Sequence, residues 1–466
     1  MKRSIKLKRV LAFTVAAALA VGTFTGCGGG KTVSSSQPAS PASGTEAASG
    51  SSDKVLRIYC WNEEFQSRFK DYYASKLPKD ITVDWVITPN ENNAYQNKLD
   101  QDLLNQESAE KKIDIFLVEA DYALKYVDSD YTLDVKKDVG LTDEDLKEQY
   151  EYTKQIVTDS KGRQKGVSWQ ATPGLFAYRR SIAKNVLGTD DPEKVQEAIS
   201  NWDKFNSVAV KMHQKGYKML SGYDDAYRAF SNNVSAPWVD KNDTIVVDKN
   251  LMKWVDQTKE YTSLGYNNKT SLWDDGWAAD QGPNGKVFGF FYSTWGINFT
   301  LLGNSLAKSV ADGGKEEVGN GAYGDYAVCE GPQNYYWGGS WICAAKGTDN
   351  IDLVRDVMKT LTCDKETMKK ITQDTEDYTN NQAAMNELAN SNYKSAFLGG
   401  QNHIKLFAKT APKIKMDNIS KYDQGLNEEF QKAFKDYFDG NTSKEKALEN
   451  FYTAAIEKYP NLKRPS

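Results

Sequence analysis

Apolar and polar positions alternate from Val55 to Tyr59 and again from Ile81 to Ile87, the period of a strand. Between them, Phe65, Phe69, Tyr72 and Tyr73 recur at helical spacing, which predicts a helix over 64–76. Asn93 to Leu104 reads as a second helix and Ile113 to Val118 as a third strand. Strands and helices alternating at this spacing predict right-handed βαβ units and a parallel sheet. Ligands of such sheets sit beyond the carboxyl ends of the strands. That rule places Trp61-Asn62-Glu63 and Glu119-Ala120-Asp121-Tyr122 at a ligand edge.

Further along, Val167 to Arg179 has strand character, interrupted by Pro173-Gly174. Residues 183 to 290 read mostly as helices and loops. Trp341 to Ala345 is a strand, followed by an amphipathic helix with Ile351, Val354, Met358 and Leu361 on one face. Thr442 with Glu445 three residues on is a capping-box pattern for the last helix. Ala447, Leu448, Phe451 and Ala455 form its apolar stripe. No internal repeat is evident.

The N-terminus follows a different pattern. Lys2, Arg3, Lys6, Lys8 and Arg9 precede an apolar run from Val10 to Val21, which is too short to span a bilayer but suits an export signal. Gly28 to Asp53 is rich in Ser, Gly, Ala and Pro and lacks aromatics, a composition that cannot bury enough surface to offset chain entropy. It reads as a flexible tether.

Composition then narrows the chemistry. The 466 residues are enough for two or three domains. Net charge is −4, and without the basic N-terminal segment 54 basic residues face 63 acidic ones. A mildly acidic body argues against a nucleic-acid partner. Two histidines, His213 and His403, exclude a multi-His zinc site. Asp240 to Asp248 lacks the spacing and glycine of a calcium loop, and Gly313-Gly314-Lys315 is followed by Glu316 where a phosphate loop needs Ser or Thr. No metal or cofactor is expected. Eleven Trp and 26 Tyr are the unusual feature.

Several aromatic motifs then fall into a recognisable order: Trp61-Asn62, Gly166-Val167-Ser168-Trp169, Tyr178-Arg179, Trp273-Asp274-Asp275-Gly276-Trp277, Phe291-Tyr292-Ser293-Thr294-Trp295-Gly296, Trp337-Gly338-Gly339-Ser340-Trp341 and Phe397-Leu398-Gly399-Gly400. Their order and spacing resemble the extracellular solute-binding proteins (family 1) of bacterial carbohydrate ABC transporters. Phe24-Thr25-Gly26-Cys27 likewise resembles the bacterial lipoprotein signal. The resemblance implies removal of residues 1–26, lipidation of Cys27, and a tether over 27–53. It also implies an α/β, two-lobed periplasmic-binding-protein-like fold with three hinge crossings, near 170–174, 328–332 and 378–383. Lobe 1 would comprise 54–171 and 332–379, and lobe 2 would comprise 172–331 and 380–466. The implied role is non-enzymatic: a membrane-anchored monomer captures a sugar, expected to be an oligosaccharide, and passes it to the permease subunits of an importer.

A sugar site needs flat aromatic platforms for C–H faces and planar polar groups for hydroxyls. Segments offering both nominate Trp61, Asn62, Glu63, Asp121, Trp169, Gln170, Asp225, Trp273, Asp274, Trp277, Trp295, Trp337, Gly339 and Trp341. Core packing is the competing reading for each tryptophan, and one of Trp337 and Trp341 is expected to pack inward. Trp85, Trp202 and Trp254 are expected in cores. A glycoside hydrolase would share such a cleft but needs an opposed carboxylate pair, which the adjacent pairs Asp224-Asp225 and Asp274-Asp275 do not supply. A sugar sensor without a transport role would also share it. The pairing of Cys60, Cys329, Cys343 and Cys363 is not readable from spacing.

Overall fold

A computed structural model of the chain describes residues 54–465; the segments expected to be the export signal and the tether, with Cys27 between them, lie outside the described residues. Among the described residues, eight strands form two sheets. The first has the order β2-β1-β3-β8-β4, with β1 Val55–Cys60, β2 Thr82–Ile87, β3 Ile115–Glu119, β4 Val167–Ser168 and β8 Ser340–Ala344. The second has the order β6-β5-β7, with β5 Gly174–Arg179, β6 Gly289–Ser293 and β7 Tyr326–Cys329.

The βαβ expectation holds for β2, β1 and β3, which are parallel. The rest of the first sheet is antiparallel, with Glu119 opposite Ser340 and Trp341 opposite Ser168. The reason is connectivity. β1 and β3 end, and β8 begins, at the same edge, where the chain returns from the second sheet. A strand starting at that edge must run against β3. In the second sheet Gly174 lies opposite Ser293 and Phe176 opposite Cys329, so β5 starts where β6 and β7 end. Those ends face the carboxyl edge of the first sheet.

The break at Pro173-Gly174 is therefore where one apolar run divides between two sheets. The passages between them are stitched side by side. Ala171 N donates to Tyr378 O at 3.0 Å, Asn380 N to Trp169 O at 2.9 Å, Gly174 N to Tyr335 O at 2.7 Å and Trp337 N to Thr172 O at 3.2 Å. Gly338 (φ +66°) and Gly339 (φ +110°) turn the chain into β8. A Cβ on Gly339 would fall 2.9 Å from Thr172 and 3.0 Å from the Trp341 ring, so the turn needs glycine for both conformation and space.

Helices cover the sheets. Residues 183–290 form Trp202–Gln214, Lys249–Leu264 and shorter helices, as the pattern suggests. The C-terminal helices Asp423–Asp439 and Lys444–Lys458 pack on this side, with Phe430 5.4 Å from Trp238 and Phe438 edge-on to Trp254 at 5.2 Å. The last helix is capped by Ser443, whose hydroxyl accepts from Lys446 N at 3.1 Å, rather than by Thr442. One residue of shift puts the hydroxyl in register with the third helical amide. All four cysteines among the described residues are free thiols, and burial pushes Cys60 up to about 12 and Cys363 to about 11.

Candidate functional site

The carboxyl edge of the first sheet and the facing edge of the second bring together residues far apart in sequence. From β1, Trp61 leaves the sheet half-buried, edge-on to Tyr95 at 5.6 Å and Tyr122 at 6.3 Å. Asn62 lies two residues before the next helix, Glu64–Tyr72, its Oδ1 accepting from Glu64 N at 3.0 Å, and Glu63 is exposed. From β3 come Glu119 and Asp121. Glu119 Oε2 accepts from Asp121 N at 2.8 Å, while its Oε1 lies 3.5 Å from where a Cβ on Gly338 would sit. Burial, reinforced by the Asp121 carboxylate, raises the Glu119 carboxyl above its usual range.

Across the gap, Arg228 on the helix Tyr227–Ser231 grips Asp121 with both arms of its guanidinium. Nη1 donates to Oδ1 at 2.6 Å, and Nη2 donates to Oδ2. This bidentate pair joins an element of the first sheet to one packed with the second. Behind it, burial pushes the Asp423 carboxyl up to about 8.

The aromatic part of the site forms at the ends of β6 and β7. Trp295 follows β6, and its Nε1 donates to Trp337 O at 2.9 Å. Trp273 lies nearly parallel to Trp295, with centroids 6.1 Å apart and planes 17° apart, and Trp337 closes the third side at 5.4 Å from Trp295 and 5.9 Å from Trp273. Phe299 adds an edge 6.0 Å from Trp295. Trp273 is 53% exposed and Phe299 59%, the two largest exposed aromatic surfaces among the described residues. Trp273 also has φ +74°, a left-handed conformation that a bulky side chain adopts only under constraint. The constraint is visible one residue on. Asp274 caps the helix Asp275–Asp280, Oδ1 accepting from Trp277 N at 2.7 Å and Oδ2 from Ser271 N at 2.9 Å. That pair of hydrogen bonds clamps the loop that presents the exposed Trp273 ring.

Seven of the nominated residues are buried instead, among them Gly339 and Trp337, which is only 7% exposed at the inner side of the aromatic group. Trp341 is 0% exposed and its Nε1 donates to Thr153 O at 2.9 Å. β8 runs between β3 and β4 and is covered on both faces, so no side chain of that strand reaches the gap. Trp169 is buried and stacks on Phe65 at 5.4 Å. Trp277 is buried, its Nε1 donating to Asp225 Oδ1 at 3.2 Å. Asp225 is buried with it, also accepts from Gly222 N at 2.5 Å, and is pushed up to about 7 by burial. Its place is beneath the aromatic platform. Gln170 is buried in the passage between sheets, where Nε2 donates to Glu64 Oε1 at 3.0 Å and to Asp377 Oδ2 at 2.9 Å, while Ser340 N donates to Oε1 at 3.0 Å. With those bonds made, its amide ties the passages together. Gly339 acts in the same region as a turn.

Trp254 is fully buried, in keeping with its core assignment, whereas Trp85, on the edge strand β2, packs edge-on against Phe65 and Phe69 but is only half-buried. Trp202 is half-buried and stacks on Phe230 at 4.2 Å. Sequence reasoning missed Phe299, Arg228 and the inward role of Glu119. Phe299 stands four residues after Trp295, a helical spacing that signals a shared face, and Glu119 ends β3, where the strand rule points. Nothing local marks Arg228, which is 107 residues from its partner.

Among the described residues no group of three His, Cys, Asp or Glu side chains is placed to hold a metal, and no helix is long and apolar enough to cross a membrane.

Comparison with known proteins adds a second line of observation. No protein of curated function matches the chain. A solved extracellular solute-binding protein of family 1 has the same fold, with a TM-score of 0.70 at 17% identity over 86% of this chain and 99% of its own. The ABC transporter associated binding protein from B. animalis subsp. lactis Bl-04, solved in complex with beta-1,6-galactobiose, gives 0.65 at 16% identity over 89% of this chain and 100% of its own. Maltose-bound T. maritima MalE3 gives 0.61 at 14% identity over 87% and 99%. The mixed α/β architecture is thus that of the periplasmic-binding-protein fold. The family model described as bacterial extracellular solute-binding protein matches residues 70–396, most of the folded body, and the chain belongs to that family.

Proposed function

We propose that this protein captures an oligosaccharide between its two lobes and delivers it to the permease of an ABC importer. Membership of a solute-binding family makes it a carrier rather than an enzyme. The observation that carries the sugar reading is Trp273, a large exposed ring held in left-handed backbone and aligned with Trp295. A strained, exposed tryptophan costs stability and persists where a ligand uses it. A sugar ring laid on it covers apolar C–H groups, while Glu119, Asn62 and Glu63 offer hydrogen bonds to hydroxyls. Related folds solved with galactobiose and maltose support the same class of ligand.

The lobes in this reading are 54–171 with 332–379 and 172–331 with 380–466, closing about the stitched passages. Cys27 carries the lipid that holds the protein at the outer face of the membrane, as a monomer on a flexible tether. Thermal-shift screening against an oligosaccharide panel tests the sugar reading, because a ligand that binds only the native state raises its melting temperature. A flat response across the panel refutes it. Release of Cys27→Ser from the membrane fraction tests the anchor, and retention of that variant refutes it.

A further inference from the structure

The turn that aims Trp295 is not held by its own cap. Ser293 stands at the N-cap of the helix Thr294–Gly296, yet it makes no capping bond, and its hydroxyl is buried without a partner. The hold comes from another part of the chain. Thr294, fully buried, donates from Oγ1 to Asp377 Oδ1 at 3.2 Å, across 83 residues. Asp377 is itself buried, immediately before the passage that Tyr378 and Asn380 make beside Ala171 and Trp169. Its Oδ1 also accepts from Tyr378 N at 2.8 Å, and its Oδ2 accepts from Gln170 Nε2 at 2.9 Å. Gln170 Oε1 in turn accepts from Ser340 N at 3.0 Å, and Ser340 ends the Gly338-Gly339 turn that leaves Trp337. The bond from Trp295 Nε1 to Trp337 O, at 2.9 Å, closes the circuit.

We propose that Asp377 is a positioning residue for the sugar platform, holding Trp295 through Thr294 and the Trp337 turn through Gln170 and Ser340. This rests on the sugar reading above and deepens it, because it names what fixes the rings from behind. A ring stacks on a sugar only when its plane lies along the C–H face, and a ring that must first be ordered costs affinity. Trp273 hangs on its own clamped loop, so its alignment with Trp295 depends on where Thr294 is pinned. Asp377 suits that task chemically. Tyr378 N and Gln170 Nε2 can only donate, so both of its oxygens act as acceptors. Burial raises its carboxyl above the ordinary range, and the Gln170 bond and the Arg68 charge oppose that rise. The neighbouring charges are Glu64, whose Oε1 shares the Gln170 amide at 3.0 Å, and Arg68. Arg68 Nη2 lies 3.6 Å from that oxygen, and its Nε is buried without a partner. Of these groups, Asp377 is the one bonded to Thr294.

Calorimetric titration of the whole chain with an oligosaccharide panel that includes maltose, cellobiose and galactobiose tests this, with thermal melting followed in parallel. Thr294→Val keeps the side-chain shape but removes the hydroxyl, and is expected to lose about tenfold in affinity for the saccharide that binds. Thr294→Ser keeps the hydroxyl and should bind near the parent. Asp377→Asn sets an NH2 group against one of two donors, and Gln170 cannot turn its amide to suit without giving up Ser340 N. It is likewise expected to lose about tenfold. The loss must run through the ring, so adding Thr294→Val to Trp295→Ala should cost no further affinity. A merely structural role would lower the melting temperature of both variants and leave their affinity at the parent value, or would add its full cost to that of Trp295→Ala. Either result overturns the proposal and leaves the sugar reading standing. Should Thr294→Val fail to fold, Asp377→Asn carries the same test in the Trp295→Ala background. A parent that binds no saccharide of the panel overturns both.

Discussion

Trp273 and Trp341 both stand next to glycine-containing turns and both carry an indole within reach of the gap between the sheets in sequence terms, yet they end in opposite environments. Trp341 enters β8, where β3 and β4 cover it from both sides and Thr153 takes its indole N–H. Trp273 sits on a loop clamped by Asp274, and no neighbouring element closes over it. The difference teaches that residue type and turn chemistry do not decide whether an aromatic ring becomes a platform. What decides it is whether a neighbouring element covers it.

The comparison breaks most sharply on Trp341→Ala. Removing a fully buried tryptophan is expected to cost about 3–5 kcal/mol of folding stability, read by chemical denaturation. Sugar affinity of the folded fraction should stay near that of the parent. A variant that melts like the parent but loses sugar would reverse the two roles. Trp273→Ala is the converse. Loss of a stacking platform at a binding hot spot costs about 2 kcal/mol, roughly thirtyfold in affinity, while the melting temperature changes little because half of the ring faces solvent. Unchanged titration curves would remove Trp273 from the site.

A smaller effect separates the passages from the platform. Glu64, bonded to Gln170, is held up at about 7 against an ordinary 4.5 by burial, which outweighs the nearby Arg68, with Asp377 adding to the rise. The folded protein therefore keeps a proton that the unfolded chain releases. The associated stability is fully present below about 4.5 and is lost as pH rises through about 7. Glu64→Gln should flatten the pH dependence of stability in that window. A pH profile identical to that of the parent would show that Glu64 is not the group responsible. Smallest of all is Trp273→Phe, which keeps a flat ring of lesser area and should lose only a few-fold in affinity.

Much of this molecule was legible along the chain. The alternation in 55–59 and 81–87 and the apolar run at 113–118 mark three strands that exist, and the break at Pro173-Gly174 marks a real change of sheet. The antiparallel insertion of β8 was not legible, because strand direction depends on the edge at which a returning chain re-enters. For the candidate site, Trp61, Asp121, Trp273 and Trp295 stand around the gap, whereas Trp169, Gln170, Asp225, Trp277, Trp337 and Trp341 are buried behind it. Asp225 and Trp277 illustrate why. Both belong to polar, loop-like stretches that read as surface, yet they bond to each other across 52 residues beneath the platform.

The amino-acid order alone determined the export signal pattern, the tether composition, the α/β class and the sequence of aromatic motifs that marks the family, because each depends on residues near one another in the chain. Only the tertiary structure decided which tryptophans are platforms, which amides tie the passages and which carboxylate meets Arg228. Those outcomes depend on contacts between segments more than a hundred residues apart, such as Asp121 with Arg228 and Gln170 with Asp377, and on burial that no local pattern encodes.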